Sequence, residues 1–528
     1  MDGRAQKWLR RAFLSITCSV ALYAGLTIAA GAIVRSRLQT VIEQAGARIA
    51  KGHAPALEIG LFSGGISLTG LVLEADTGLR PAVHLDGRVD TLSVTGLSYW
   101  GLLRGHVNVR KVHVRARNLA VVLRLDTTAV DTSMQEEGLG RIQMDATDIR
   151  LERISLATFG GDTSSFSAKA FSYQGAGVSL FRDEHASWTF ALPGERTIRI
   201  DSLYADLRGK QCAGIGMLHL DQQAGICTVV GTHFGPYVDL ETFAKEQPLE
   251  VDVAECVLPS INIRGIHIPS HVDAHDWSAR NVVVENADVE IFRDKTRPDG
   301  PEKYMPLIAR LLRQLPLDAG VDSVFLRNAD IVYNERATHE RGFGRVPFSR
   351  MNALVTGARN ARSDSAMLSI HATCTAFVSA PVDFTFAARV QDTTDHFDVL
   401  ARIGTMPFHD LNVAFGPLAD MQAMSGTLDT VVMRLSADDR VSRGKVRLAY
   451  HDLRMVQGDE ATEGARNRPL SVLMNAIIPN DKIEGDPAVT DEVYTLSRRR
   501  DRSMFNYLWI NLREGSRKVV LPGFLEKR

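Results

Sequence analysis

Eight residues, Ile261-Asn262-Ile263-Arg264-Gly265-Ile266-His267-Ile268, carry the pattern that this chain reuses. Apolar side chains stand at its first, third, sixth and eighth places. Each half alternates with period two, the signature of a strand with one apolar face. The two-residue polar step between the halves would throw the second half onto the opposite face. A β-bulge absorbs such a step by setting two residues opposite one, so the apolar set stays on one face. The pattern recurs from Val107 to Val114 and from Ile149 to Leu156. Looser copies run from Ile66 to Leu73, Val282 to Val289, Val324 to Ile331 and Leu448 to Met455. Two of these share a tripeptide, Asn286-Ala287-Asp288 and Asn328-Ala329-Asp330. Several neighbouring copies start about 42 residues apart, a spacing typical of repeat architectures. An ordinary antiparallel sheet with many short strands fits the same alternation and is the plainer alternative.

Composition narrows the classes. The net charge is -1 with pI near 7.0, which leaves no basic footprint for nucleic acid. Charged residues make up 23%, against wholesale disorder. Cys18, Cys212, Cys227, Cys256 and Cys374 form no paired metal motif and no disulfide-dense framework. Cys212 and Cys227 are spaced to face each other across a hairpin, with free buried thiols as the other state.

Residues 1–12 read as a cytoplasmic N-terminus. Phe13 to Val34 is one apolar run, long enough to cross a bilayer as a helix. Arg4, Lys7, Arg10 and Arg11 precede it and orient it, although Arg35 and Arg37 follow. A cleaved signal peptide is the alternative, because Ala30-Gly31-Ala32 resembles a cleavage site. Either way the rest of the chain is exported. Leu38, Val41, Ile42, Ala45 and Ile49 keep helical spacing, so residues 35–56 read as a juxtamembrane helix ended at Pro55. Residues 57–456 read as strands, including the strict alternations Trp188 to Leu192 and Gly444 to Tyr450. Helical spacing returns at Met305 to Leu315 (Leu307, Ile308, Leu311 and Leu312 on one face, closed by Pro316) and at Pro469 to Ile478. Residues 457–528 form a C-terminal helical segment. Within it Asp501 to Leu512 puts Phe505, Leu508, Trp509 and Leu512 on one side, leaves Tyr507 and Asn511 elsewhere, and offers Asp501 as N-cap.

The export anchor, then Gly70-Leu71-Val72-Leu73-Glu74, then Leu97 to Val109 with its Tyr99-Trp100-Gly101-Leu102-Leu103-Arg104-Gly105 step, resembles the start of AsmA-like envelope proteins. Ser425 to Asp429, Gly444 to Leu453 and Ser503 to Trp509 resemble their terminal region. The resemblance is clear at both ends and diffuse between. It implies a long sheet curled into a half-pipe with an apolar inner face, associated with lipid movement and outer-membrane integrity. It brings no catalytic residues.

Nor do the residues supply any. The chain has no nucleophile elbow, phosphate loop or zinc-protease helix. His271 and His275 have metal-ligand spacing only on a helix, and Pro269, Asp273 and Asp276 around them suggest a solvated loop. Glu136-Glu137 and Asp438-Asp439 are neighbours that a strand points to opposite faces, so they read as solvated turns. His113 and His267 read as outward polar sites. Arg498-Arg499-Arg500-Asp501-Arg502 reads as a solvated face, or alternatively as a contact for anionic headgroups.

The expected molecule is therefore mainly β: an N-terminal transmembrane helix, then an elongated, repetitive antiparallel β-groove with a few short helices, one of them C-terminal and amphipathic. A sheet of that size with so few helices either closes on itself or leaves an apolar face open, and an open face marks a binding site. The candidate groove residues are Val107, Val109, Ile149, Leu151, Ile261, Ile263, Ile266 and Ile268. Phe505, Leu508, Trp509 and Leu512 form a helix that either caps the groove or lies in a membrane interface. The expected partners are membrane lipids, phospholipid above all, and an outer-membrane β-barrel protein. No cofactor, metal or enzyme activity is expected. The expected location is the inner membrane, single-pass, with the bulk in the periplasm. The rival function is assembly of outer-membrane proteins through an exposed sheet edge.

Overall fold

The computed structural model describes residues 47–51, 53–60, 64–75, 83–98, 106–124, 141–159, 165–182, 188–191, 194–207, 210–269, 277–315, 318–360, 367–457, 481 and 492–520, together with Ala32, Val34 and Ser36. Among the described residues 65% are strand against 13% helix, so the sheet and not a helical layer decides the architecture. Two compact units divide it, residues 1–225 with 269–274 and residues 226–268 with 275–528.

The first unit holds β1 (Ala47–Ile49), β2 (Ala56–Gly60), β3 (Gly65–Ala75), β4 (Val83–Thr95), β5 (His106–Arg124), β6 (Arg141–Phe159), β7 (Ser165–Arg182), β8 (Trp188–Ala191), β9 (Arg196–Ile200), β10 (Ser202–Leu207), β11 (Gln211–Ile215) and β12 (Met217–Asp221). The second holds β13 (Ile226–Pro236), α1 (Leu240–Glu246), β14 (Asp252–Arg264), β15 (Trp277–Glu285), β16 (Asp288–Asp294), α2 (Ile308–Arg313), β17 (Ala319–Arg336), β18 (Gly344–Arg359), β19 (Met367–Ala376), β20 (Ala380–Arg389), β21 (Phe397–Ile403), β22 (Met406–Pro407), a 3-10 turn (Phe408–Leu411), α3 (Asn412–Ala419), β23 (Met421–Ala437), β24 (Val441–Gln457), β25 (Glu492–Ser497) and α4 (Met504–Val520).

Most neighbouring strands are antiparallel, as expected, but some pairings are parallel and correct the expectation there. β5 and β6 are parallel, and β17 is parallel to both β15 and β16. Parallel pairing requires a return connection of about a dozen residues or more. Residues 125–140 and 295–318 supply those connections, the second through α2.

The polar step of the repeat is a bend in the ladder. In β5 and β6 the pairing passes from Val109–Met144 to Lys111–Ala146 and from Ala116–Leu151 to Asn118–Arg153, leaving out Arg110 with Asp145 and Arg117 with Glu152. On the other side of β6 the omitted partners are Gly177 and Ala170, both with positive φ. On β3 and β4 the matching pair is Gly70 and Asp90, and Asp90 accepts from Arg117 at 3.1 Å. One residue is left out on each strand at these places, so the register is kept, and the two-against-one bulge expected of the repeat is found in this unit only between β4 and β5, around Val89, among the described residues. The irregular places line up from strand to strand. The other copies behave alike, with Gly265, Asn286, Asn328 and Asp452 in left-handed conformations at their steps. Asparagine and aspartate tolerate that conformation where β-branched residues do not.

The shared tripeptide also has a structural meaning. Asp288 pairs with Asp330 in parallel register, and the Asn328 side-chain amide donates to Asn286 Oδ1 at 2.8 Å. Ala287 and Ala329 are buried beside them. The 42-residue spacing between Val282 and Val324 is thus a lateral pairing. The spacing between Val107 and Ile149 is not, because Val107 pairs with Ile142 and Ile149 pairs with Val114.

Helix expectations fared unevenly. Ala47–Ile49 is strand, with Ile49 opposite Leu73, where a helix running to Pro55 was expected. Ile49 gains more from the apolar cluster of Leu68, Leu71 and Leu73 than from an isolated helical stripe. Of the expected anchor only Ala32 and Val34 are described, and both are helical. Among the described residues no helix is long and apolar enough to cross a membrane. His271 and His275, Glu136-Glu137 and the helix expected at Pro469 to Ile478 lie outside the described residues. Leu307, just before α2, and Ala309 within it are buried, while Leu311 is exposed. Cys212, Cys227, Cys256 and Cys374 are free thiols.

Candidate apolar binding face

Strand register gathers the apolar positions into rows that run across the strands. In the first unit one row is Leu68–Leu92–Val114–Ile149–Tyr173–Ile198–Leu220, each residue paired with the next. A second is Leu73–Gly87–Leu119–Ile154–Ala168–Leu203–Ile215. We call the face that carries them inward. Leu68 and Leu220 at the ends of the first row are buried, whereas the five side chains between them are half-buried. Among the described residues no helix packs on this unit, and its apolar cluster is confined to β1–β4. The middle of the row is thus apolar yet only partly covered.

The second unit repeats the arrangement with a gradient. One row is Cys227–Ile263–Val282–Val324–Val355–Ile370–Phe386–Val399–Leu435–Gly444–Tyr494. Ile263 to Ile370 are half-buried, and from Phe386 onward the row is packed dry. The dry end is a core built with α2, the 3-10 turn and α4, including Leu307, Phe397, Phe408, Tyr450 and Tyr507. The Phe397 and Tyr507 rings meet edge-on at 6.2 Å.

The expected groove residues fall on these rows. Ile149 belongs to the first row, and Leu151 lies in a parallel one opposite Ala116 and Phe171. Val109 is buried opposite Met144. The backbone of Val107 pairs with Ile142, while its side chain lies outside the described part. Ile261 and Ile263 pair with Val284 and Val282. Ile266 and Ile268 lie beyond the Gly265 bend, where His267 bridges to Ser278; Ile266 is half-buried and Ile268 buried. Tyr173, Ile198, Phe384 and Phe386 escaped the eight-residue template. Their strands hold apolar alternation without a complete copy of it.

Polar groups on the opposite face keep the sides distinct. His113 faces Asp148 at 3.5 Å, His371 faces Asp383 at 3.0 Å and His451 faces Asp429 at 3.1 Å. The hydrogen bond that His451 donates to the Asp429 carboxylate raises the His451 pKa above its ordinary value.

The C-terminal helix packs, but not through the expected face. Its buried seam is Tyr507, Asn511, Gly515 and Val519, one residue per turn. Leu508 and Leu512 pack beside that seam. Phe505 and Trp509 are 44% and 42% exposed, and Phe505 rests against Tyr333 with ring centroids 5.4 Å apart. Close approach explains the choice of face. Gly515 lies so near Val446 and Tyr494 that a Cβ would collide with both. Asn511 is satisfied where it is buried, accepting from Ser442 Oγ at 2.8 Å and donating to the Tyr507 carbonyl at 2.8 Å. The cap is Ser503, whose Oγ accepts from the Asn506 amide at 3.3 Å; Asp501 pairs with Arg499 instead.

Two charged features read as solvated also require correction. Asp439 is buried and accepts from Arg498, Arg500 and Tyr304, while its neighbour Asp438 caps the turn amides of Arg440 and Val441. In the arginine run, the Arg498 side chain is wholly buried, and Arg502 pairs with Glu250 and Asp299. These charges close the loop between β25 and α4.

No protein-family model matches the chain, and no curated protein matches it in sequence.

Proposed function

We propose that this chain is an AsmA-like, membrane-anchored envelope protein that binds or passes lipid acyl chains along its inward face, supporting lipid transport and outer-membrane integrity without chemistry of its own. In this reading residues 13–34 anchor it in the inner membrane and the sheet stands in the periplasm. One observation carries most of the weight: the row from Leu68 to Leu220, apolar throughout and half-covered in its middle. A sheet face of this kind is stable in water only with something laid on it. Acyl chains suit it because they need no hydrogen-bond partners and each buried methylene gains about 0.8 kcal/mol. Strands about 4.8 Å apart make the row roughly 29 Å long. The hydrocarbon core of a bilayer, two acyl layers deep, is about 30 Å. The row therefore suits acyl chains lying across the strands.

The test is photocrosslinking of the detergent-purified full chain with a phospholipid bearing a diazirine in its acyl tail, with adducts mapped by mass spectrometry. Adducts on Val114, Ile149, Tyr173 or Ile198 are expected, together with endogenous lipid in the untreated protein. Adducts confined to the outward face, or no bound lipid at all, would refute the reading.

A further inference from the structure

The loop between β25 and α4 and the approach to α2 bring together more positive charge than they neutralise. Arg310, Arg313, Arg498 and Arg500 converge on two carboxylates, Asp395 and Asp439, which are almost fully buried. Two of the arginines each bind one carboxylate and two backbone carbonyls. Arg313 donates to Asp395 and to the Val390 and Asp392 carbonyls. Arg498 donates to Asp439 and to the Met305 and Arg502 carbonyls. Each of these takes one carboxylate oxygen. Arg310 and Arg500 share what remains, with Arg310 on Asp395 Oδ2 at 2.5 Å and Arg500 on Asp439 Oδ2 at 2.6 Å. Both guanidinium groups lie over the Tyr304 ring, 5.1 and 4.7 Å from its centroid. Arg310 Nε and Arg498 Nε are buried without a hydrogen-bond partner, as is Asp395 Oδ2, which Arg310 meets as an ion pair. Other carboxylates around the loop are engaged elsewhere: Asp501 with Arg499, Glu250 and Asp299 with Arg502, and Asp438 with backbone amides.

We propose that Arg310 and Arg500, set over Tyr304, form a binding site for a phosphate-type oxyanion. Around Tyr304 four guanidinium groups meet two buried carboxylates, with Asp438 beside them on backbone amides, and the excess charge falls on Arg310, one-fifth exposed, and Arg500, half-exposed, where an anion can reach and offset it. The planar fork of arginine matches phosphate oxygens two at a time, and charge-assisted bonds of this kind are the strong ones. The Tyr304 ring attracts both guanidinium groups as cations, and its hydroxyl is fixed on Asp439 at 2.9 Å. The phosphate belongs either to a lipid headgroup or to a free phosphate ion. This site stands independently of the acyl-binding face.

Full-length protein in neutral detergent micelles is titrated with inorganic phosphate by calorimetry. It is also offered dioleoylphosphatidylglycerol or dioleoylglycerol, with capture read by native mass spectrometry. The key variant is Arg500→Gln, at a half-exposed side chain; the control is Arg499→Gln, the same charge change one residue away on an arginine paired with Asp501. At least a tenfold loss of phosphate or phosphatidylglycerol binding is expected for Arg500→Gln and no change for Arg499→Gln. Loss in the phosphate arm identifies a free ion as a sufficient ligand, and loss in the phosphatidylglycerol arm alone identifies a headgroup; both support the site. Dioleoylglycerol lacks phosphate, so its capture reports the apolar face alone and is expected to be equal in all three proteins. Wild-type protein that binds neither phosphate nor phosphatidylglycerol in preference to dioleoylglycerol overturns the site, whatever the variants do. Equal losses for Arg499→Gln and Arg500→Gln overturn it as well.

Discussion

A carboxylate introduced at two places in one cross-strand row distinguishes an open face from a packed one. Ile263 and Val399 both lie inward on the row from Cys227 to Tyr494. Ile263 is half-buried, whereas Val399 is 4% exposed beneath the helices. Val399→Asp removes about 1.5 to 3 kcal/mol of apolar burial. It must also bury a carboxylate or keep it protonated, and a pKa raised by about 3 units corresponds to roughly 4 kcal/mol. The sum, about 5 to 7 kcal/mol, rivals the whole stability of a typical domain. Ile263→Asp loses part of its burial but leaves the carboxylate in reach of water, so the expected cost is about 1 to 2 kcal/mol. The assay is thermal melting of the full chain followed by circular dichroism, with lipid capture measured beside it. Ile263→Asp should melt only a few degrees lower while losing bound lipid; Val399→Asp should melt far lower or fail to fold. The sign with pH follows. A carboxylate whose folded pKa is raised destabilises progressively as pH rises from its unfolded value, about 3.9, through the folded one. The Val399→Asp deficit should therefore shrink near pH 4. Equal destabilisation at both sites would refute the distinction between open and dry ends of the row.

Other expectations follow from the C-terminal helix and the outward face. Asn511→Leu leaves the Ser442 hydroxyl without its side-chain acceptor and should cost about 1 to 3 kcal/mol, while adding Ser442→Ala should cost less than the sum, as a double-mutant cycle in urea would show. Trp509→Ala with Phe505→Ala should lower stability by only about 1 to 2 kcal/mol in total, against about 3 to 5 for each buried ring, because both rings are more than two-fifths exposed; a melt as severe as that of a core deletion would contradict the observed helix face. His451 should titrate above the ordinary histidine range by NMR, and Asp429→Asn should return it there. Its raised folded pKa stabilises below the unfolded value, and that contribution disappears as pH rises through the folded one.

The eight-residue repeat was legible because every residue in it has a local consequence. Ile261 and Ile263 alternate, Arg264-Gly265 breaks the alternation, and the break falls at the bend. Pairing was not legible. Nothing near Val107 says that it pairs with Ile142 rather than Ile149, since both are β-branched and Ile149, not Ile142, opens a full copy of the pattern. The helix face was misread for a related reason. Counting apolar residues favours Phe505 and Trp509, but packing distance favours Gly515 and hydrogen bonding accommodates Asn511, and both depend on a strand far away in sequence. Asp439 looked solvated beside Asp438 because its arginines arrive from α2 and from the loop after β25. Long-range charge compensation leaves no periodic trace.

The aligned bends of the first unit work like teeth on a rack. On β5, β6 and β7 they lie seven residues apart, at Arg110 and Arg117, Asp145 and Glu152, Ala170 and Gly177. A slip of one residue would turn the isoleucines outward, and a slip of one or two would set a bent place against a straight one. The smallest slip that re-meshes is a whole seven-residue tooth, and the parallel offset from Val107 to Ile142 spans five of them. Straight strands, the usual currency of edge-to-edge aggregation, cannot seat along this profile. A strand added in register would meet each tooth only if it carried a bend of its own at the same seven-residue pitch.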